Sequence, residues 1–290
     1  MKSVVTETER KPHSSVLGRQ KAFNCRTRNS GSLYLAHRRV VTEVIVGSSQ
    51  VERSRLCVLG AGNANDLDLP VLVKAFGQIH LVDLDSEALS EVARRHPELD
   101  GLVTLHGDTD LSGIAARLDA ISQPLLDRAV DLLVDSARRV CPPRIGGPFD
   151  VVVSTCLLTQ LFHSAAAVLG EHSARLSEAF EAIRIGHLRL LVDLTAPGGA
   201  GLLVTDLASS DDAQAIATAH ERDLPALASR LAAAGACFAG IDLGEIEDQL
   251  SADPLLVSRV REIRRLGVWR WRINKTKTFL VGGLSFIKCG

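Results

Sequence analysis

The feature that most constrains this chain is a series of short apolar runs without alternation, each stopped by polar residues and separated by helix-length stretches. "RLCVLG" from Arg55, "QIHLVDLD" over 78–85, "LVTLHGD" over 102–108, "FDVVVSTC" over 149–156 and "GAGLLVTDLAS" over 199–209 all have this form. Continuous apolar runs of that length describe strands buried on both faces, which a parallel sheet requires. Helical patterns fill the gaps at 67–76, 86–95, 119–140 and 174–194. Alternation of this kind predicts right-handed βαβ crossovers and a doubly wound α/β domain with helices on both faces.

The tail breaks the alternation. A helix-like stretch over 253–267 is followed by "VWRWRIN" and "KTFLVGGLSFIKC", two strand-like runs a few polar residues apart. They read as an antiparallel hairpin at the sheet edge, which makes the sheet seven-stranded and mostly parallel. Trp269 and Trp271, two apart on one strand, share a face and are expected to pack on a helix.

Ahead of the sheet, Leu33, Ala36, Val40, Val41, Val44 and Ile45 recur at helical spacings, with Ser32 as a candidate cap. Residues 1–32 are rich in Lys, Arg, Ser, Thr and Asn and lack apolar periodicity. They form a flexible or lid-like segment in this reading, and 33–290 form the folded domain.

Charge and cysteine usage exclude several classes. Lys and Arg number 33 against 34 Asp and Glu, so no global field recruits nucleic acid or an anionic membrane. The partner is expected to be small, with nucleic acid disfavoured. Six cysteines without a CxxC pair and without histidines at ligand spacing argue against a metal site and against a disulfide framework. With no membrane-length apolar run and a polar start, a cytoplasmic protein that makes no membrane contact is expected.

Ligands of an open α/β sheet sit beyond the carboxyl ends of its strands where strand order reverses, which directs attention to "GAGNAND" after the first strand. Gly60 and Gly62 permit close backbone approach, and a following helix would point its free amides at a ligand; a bare GxG is also a common tight turn. Asp83 closes the second strand about twenty residues later, the spacing of an acid that accepts from a ribose diol. Asp108 closes the third, where a carboxylate can accept from an exocyclic amine. Both aspartates could instead cap the helices that follow, as Asp85 or Ser86 could. A dinucleotide loop wants glycine where this chain has Asn65, and Asp66 would oppose a pyrophosphate.

The glycine loop "VLGAGN", the "LVDLD", the "HGD", the "FDVVVSTCLL", the "LTAPGGAGLLVTD" turn into a strand and the closing hairpin, in that order, resemble the class I S-adenosylmethionine-dependent methyltransferases. The resemblance runs from Leu33 to the C-terminus. It implies S-adenosyl-L-methionine as cofactor and in-line transfer of a methyl group. It further implies that Gly60, Ala61 and Gly62 meet the methionine part, Asp83 and Leu84 the ribose and its surroundings, Asp108 and Thr109 the adenine, and Ser154 and Thr155 the region near the sulfonium. The chain departs from the family pattern at Val58, where an acid is usual, and at Ala64, where a third glycine is usual. Asn63, Asn65 or Asp66 could take over the missing contact.

"STCLLTQ" after the fourth strand lacks the Asn- or Asp-Pro-Pro-aromatic sequence common in enzymes that methylate planar nitrogens of nucleic acids or glutamine. A small-molecule acceptor methylated on O, N or C is therefore expected. A nucleic acid or protein target, or a catalytically silent binding module, are the alternatives. His163 is the candidate general base, though a lone histidine is more often a surface or capping residue. Tyr34, His37 and Arg38 are candidates for the acceptor pocket.

Overall fold

A computed structural model describes residues 15–121 and 125–290. Its helices, in chain order, are α1 (Val16–Thr27), α2 (Leu35–Gly47), α3 (Leu69–Ala75), α4 (Ser86–Arg95), α5 (Ala115–Ala120), α6 (Asp127–Arg138), α7 (Leu158–Leu169), α8 (Leu176–Leu194), α9 (Ala215–Thr218), α10 (Leu224–Ala233) and α11 (Leu243–Ala252). Its strands are β1 (Arg55–Leu59), β2 (Gln78–Val82), β3 (Val103–His106), β4 (Phe149–Thr155), β5 (Thr195–Ser209), β6 (Val260–Arg272) and β7 (Thr278–Lys288).

The strands form one seven-stranded sheet in the order β3-β2-β1-β4-β5-β7-β6. The first five run parallel, and β7 lies antiparallel between β5 and β6. The expected doubly wound sheet with a closing antiparallel hairpin is present. Each central strand feeds two cores because successive side chains leave opposite faces. Cys57, Leu59 and Val152 pack with α5, α6, α7 and α8, whereas Leu56, Val58, Val151 and Val153 pack with α2, α3 and α4.

Local signals explain most element ends. Asp85 caps α4 by accepting from the amides of Glu87 and Ala88, and Asp68 caps α3 by accepting from that of Val71. Leu35 begins α2 behind Tyr34, so Ser32 is not its cap.

The structure corrects two helix assignments. The stretch 119–140 is two helices, α5 and α6, and the sequence puts Pro124 between them, where an unbroken helix cannot continue. The stretch 253–267 enters strand β6 at Val260 instead of staying helical. Its pairing with β7 is irregular between Arg261 and Arg264 and again between Arg265 and Val268. Arg261, Arg264 and Arg265 stand three and four residues apart, a helical spacing that the strand accommodates with these bulges. Among the described residues, no helix is long and apolar enough to cross a membrane.

Candidate functional site

Strand order reverses between β1 and β4, and the loops beyond their carboxyl ends meet there. A small cavity of about 40 Å³ lies at this point, walled by residues 60–66 of the glycine loop, Thr155 and Cys156 at the end of β4, Gln160 of α7, Tyr34, Trp271 and the inner side of α1.

The loop turns sharply enough to need its glycines. Gly60 and Gly62 have φ of 76° and 48°, and Ala64 and Cys156 adopt the same left-handed region at 51° and 49°. A Cβ on Gly60 would lie 2.9 Å from Leu157 Cβ. The amides of Gly60 and Ala61 both donate to the Val82 carbonyl, which folds the loop back over β2.

Asp83 locks that fold. Its Oδ2 accepts from the Gly62 amide at 2.8 Å and its Oδ1 from the Asp85 amide at 2.8 Å. Burial pushes its carboxyl up to about 6 against the pull of these amides. Asp83 is not a helix cap; Asp85 fills that role. Asp108 is exposed and accepts from Ser86 Oγ at 2.8 Å, while the Thr109 amide donates to the Asp83 carbonyl. Leu84 packs at the margin of the core. Asp83, Leu84, Asp108 and Thr109 stay close to one another but stand outside the cavity wall.

The asparagines of "NAND" are engaged elsewhere than at a ligand. Asn63 Nδ2 donates to the Asn24 carbonyl at 2.7 Å, and Asn65 Nδ2 to the Thr27 carbonyl at 2.8 Å, so both cap the last turn of α1. From α1, Asn24 Nδ2 donates to Asp85 Oδ2 at 3.0 Å. Arg95 of α4 reaches the Asn63 carbonyl and Asn65 Oδ1, and Arg38 donates to the Asn65 carbonyl at 3.4 Å. Helix α1 is thus clasped onto the loop. At the start of α3 the Val71 amide donates to the Asp68 side chain.

Ser154 and Thr155 part company because neighbours on a strand point to opposite faces. The Ser154 hydroxyl meets His187 Nε2 of α8 at 2.8 Å behind the sheet, and Thr155 alone lines the cavity. His37 is likewise turned away. It accepts from Trp269 Nε1 at 2.9 Å and stacks on Trp271 at 4.6 Å, and burial drops its pKa to about 3. Tyr34 packs edge-on against the other side of the site at 5.0 Å from Trp271. The tryptophans thus pack on α2 as expected, and Trp271 also walls the cavity. His163 is exposed on α7 and is not brought to the cavity.

The cavity's electrostatics are one-sided. Among the described residues, its wall carries no Lys, Arg or His, and Asp66 is its carboxylate. Burial pushes Asp66 up to about 6, tempered by its own amide, the Thr155 hydroxyl and Arg38. Burial also raises Tyr34 and Cys156, and the charge of Asp66 adds to both. Asp206, buried behind Cys156, accepts from Thr159 Oγ1 at 2.6 Å and is likewise pushed up to about 6 by burial. The buried atoms Asn63 Oδ1, Gln160 Oε1, Tyr34 Oη, Thr155 Oγ1 and Trp271 Nε1 make no hydrogen bond of full geometry. Asn24, Gln160 and Trp271 were not among the residues the sequence singled out for this site. Only "TQ" four residues past Cys156, one turn into the next helix, signalled Gln160.

No protein-family model matches the chain, and no curated protein matches it in sequence. Among solved structures, the YcgJ protein of Bacillus subtilis is similar at 13% identity, over 86% of this chain and 97% of its own, with a TM-score of 0.44. Magnesium protoporphyrin IX methyltransferase of Synechocystis PCC 6803, with bound SAH, is similar at 12% identity over 90% of this chain and 85% of its own, with a TM-score of 0.42. The N-methyltransferase NodS of Bradyrhizobium japonicum WM9 is similar at 11% identity over 90% of this chain and 98% of its own, with a TM-score of 0.41.

Proposed function

We propose that the chain is an S-adenosyl-L-methionine-dependent methyltransferase acting on a small-molecule acceptor. The observation that carries this reading is the position and polarity of the cavity: it sits at the reversal of strand order, beneath a glycine loop, and presents carboxylate and bare acceptor oxygens without a cation. Such a wall suits a ligand bearing an ammonium and a sulfonium and opposes one bearing phosphates. When bound, the cofactor supplies a methyl group already activated by the sulfonium, so the protein need only align a nucleophile with it.

In this reading Gly60, Ala61 and Gly62 approach the methionine arm and Asp66 holds its ammonium, in place of the acid absent at Val58. Asp83 keeps lone pairs for the ribose hydroxyls beside the amides it already accepts. Leu84, Asp108 and Thr109 border the adenine, and Thr155 the sulfonium. The cavity is far smaller than the roughly 300 Å³ or more of a typical ligand site. Helix α1, with Asn24 on Asp85, therefore has to lift from the loop for the cofactor to enter. Helix α1 is a lid on this account, while residues 1–14 of the N-terminal segment lie outside the described residues. No role falls to His163, since the reaction asks for no base at an exposed position on α7.

The arginines of β6 do not favour a nucleic-acid target. Arg259, just before the strand, pairs with Asp193, and on the strand Arg261 and Arg264 pair with Glu262 and Arg265 with Glu247, so these four guanidinium groups are engaged by carboxylates.

Calorimetric titration with S-adenosyl-L-methionine and its demethylated product tests the proposal. Both are expected to bind one-to-one, and Asp66→Ala to weaken both. If neither binds the wild type, nor a variant in which Asn63→Ala and Asn65→Ala free the lid, the methyltransferase reading fails and a silent binding module takes its place.

A further inference from the structure

We infer that a phosphoryl anion binds on the outer side of the glycine loop, where α1, α2 and α4 meet, held by Arg28, Arg38 and Arg95, and that it latches α1 in place.

Three helices bring a guanidinium to one loop residue, Asn65. Its carbonyl accepts from Arg38 of α2 at 3.4 Å, and its Oδ1 accepts from Arg95 of α4 at 3.3 Å. Its Nδ2 donates to the carbonyl of Thr27, beside Arg28 at the end of α1. Arg95 donates to the Asn63 carbonyl as well. All these partners are neutral, so they take hydrogen bonds and leave the charge uncancelled. Among the described residues, no carboxylate forms an ion pair with Arg28, Arg38 or Arg95. Glu91 of α4 is taken by Arg94, and Asp66, on the cavity side of the loop, draws on Arg38 without pairing with it.

Helix dipoles account for only part of the cluster. The partial negative charge at a helix's carboxyl end suits Arg28 on α1 and Arg95 on α4. Arg38 stands in the first turn of α2, where the dipole is positive and a cation is opposed by it. Desolvation pushes the Arg95 guanidinium below its ordinary pKa; Glu91 pulls the other way, and the charges of Arg28 and Arg94 add to the fall. Like charges gathered in this way repel one another until an anion joins them. A carboxylate offers two oxygens, whereas a phosphoryl group offers three, one for each guanidinium, in the geometry that arginine forks favour.

Such an anion would tie α1 down. Arg28 belongs to the end of α1, while Arg38 and Arg95 hold the loop, so a ligand bridging them adds a link between helix and loop beside those of Asn63 and Asn65. The site lies outside the cofactor cavity, and its occupancy is read without any cofactor.

Amide hydrogen exchange across 16–27, at pH 8 and constant ionic strength, tests the inference with inorganic phosphate, methyl phosphate and acetate as probes. Either phosphate is expected to slow exchange of α1 about tenfold at saturation, and acetate to leave it nearly unchanged. Protection by inorganic phosphate assigns the site to the free ion, and protection by methyl phosphate alone to a phosphate ester; both support the inference. Arg28→Gln is the discriminating variant, because among the described residues Arg28 makes no hydrogen bond or ion pair whose loss could disturb the fold. It should weaken phosphate about tenfold, the contribution of one charge-assisted contact, and Arg28→Lys should restore part of the loss. A general effect of phosphate on protein stability would be the same in wild type and Arg28→Gln, and that equality overturns the inference. Protection by acetate equal to that by phosphate, or no protection by either phosphate, overturns it too. A short single strand of DNA that protects α1 where both phosphates fail would make the cluster a nucleic-acid surface and likewise overturn it.

Discussion

At Asp66 two opposite pH dependences meet. Burial holds its carboxyl at about 6 in the folded chain, above the ordinary value of 3.8, as it does those of Asp83 and Asp206. A carboxyl whose pKa is raised by folding prefers to be neutral in the fold. Its stabilisation is therefore fully present below about 3.8 and is lost as pH rises through 6. Thermal melts of the free protein should show this part of the stability growing from pH 7 to pH 5, and Asp66→Asn should flatten the trend. Ligand affinity should run the other way, because only the ionised carboxylate attracts a cation. S-adenosyl-L-methionine is expected to bind more weakly at pH 5 than at pH 7.5, and in Asp66→Asn to bind weakly and evenly at both. An affinity that ignores pH in the wild type would remove Asp66 from the site. The sequence pointed to Asp66 by its place in "NAND", but the cavity it lines is completed by Tyr34 and the end of β4, which arrive from distant parts of the chain.

Helix α1 is held at the scale of an element by three amide side chains, and it can be released at the same scale. Asn63 and Asn65 each satisfy a carbonyl of its last turn, and a hydrogen bond of this kind contributes about 1 kcal/mol. In Asn63→Ala/Asn65→Ala, amide hydrogen exchange across 16–27 is expected to accelerate by roughly tenfold or more, and S-adenosyl-L-methionine to associate faster. Unchanged protection of that helix would show that the asparagines do not hold it. This clasp also marks where the sequence stops being legible. α4 announces itself by its Asp85 cap and α8 by its apolar period, and both lie where the pattern puts them. α1 buries only Val16 and Asn24, so no apolar period exists to be read, and the polar contacts that tie it to the glycine loop are made over long separations. The β6 arginines mislead for the converse reason, since a strand with bulges accommodates residues set at the spacing of a helix. The divergence of Ser154 from Thr155, by contrast, follows from strand alternation and was available in the sequence once β4 was recognised.

Across the whole molecule, β4 links the cavity to the opposite core. Thr155 lines the cavity on one face, while Ser154 is tied to His187 of α8 on the other. α8 in turn crosses α6 so closely at Gly186 that a Cβ there would fall on the Ala137 carbonyl oxygen. Gly186→Ala must therefore push the two helices apart, and overpacking of this sort costs about 1–3 kcal/mol. The melting temperature is expected to fall by several degrees. S-adenosylhomocysteine at a hundredfold excess over its dissociation constant should restore about 2.7 kcal/mol by binding the native state alone. The informative quantity is whether that gain is the same in both proteins. If the displaced α8 moves only the far core, the ligand raises wild type and Gly186→Ala by equal free energies. If the Ser154–His187 tie carries the displacement into β4, the variant gains less than the wild type, and Ser154→Ala, which cuts the tie, brings the two gains back together. Gains that stay unequal after the cut would mean that the strain reaches the cavity by a route other than Ser154.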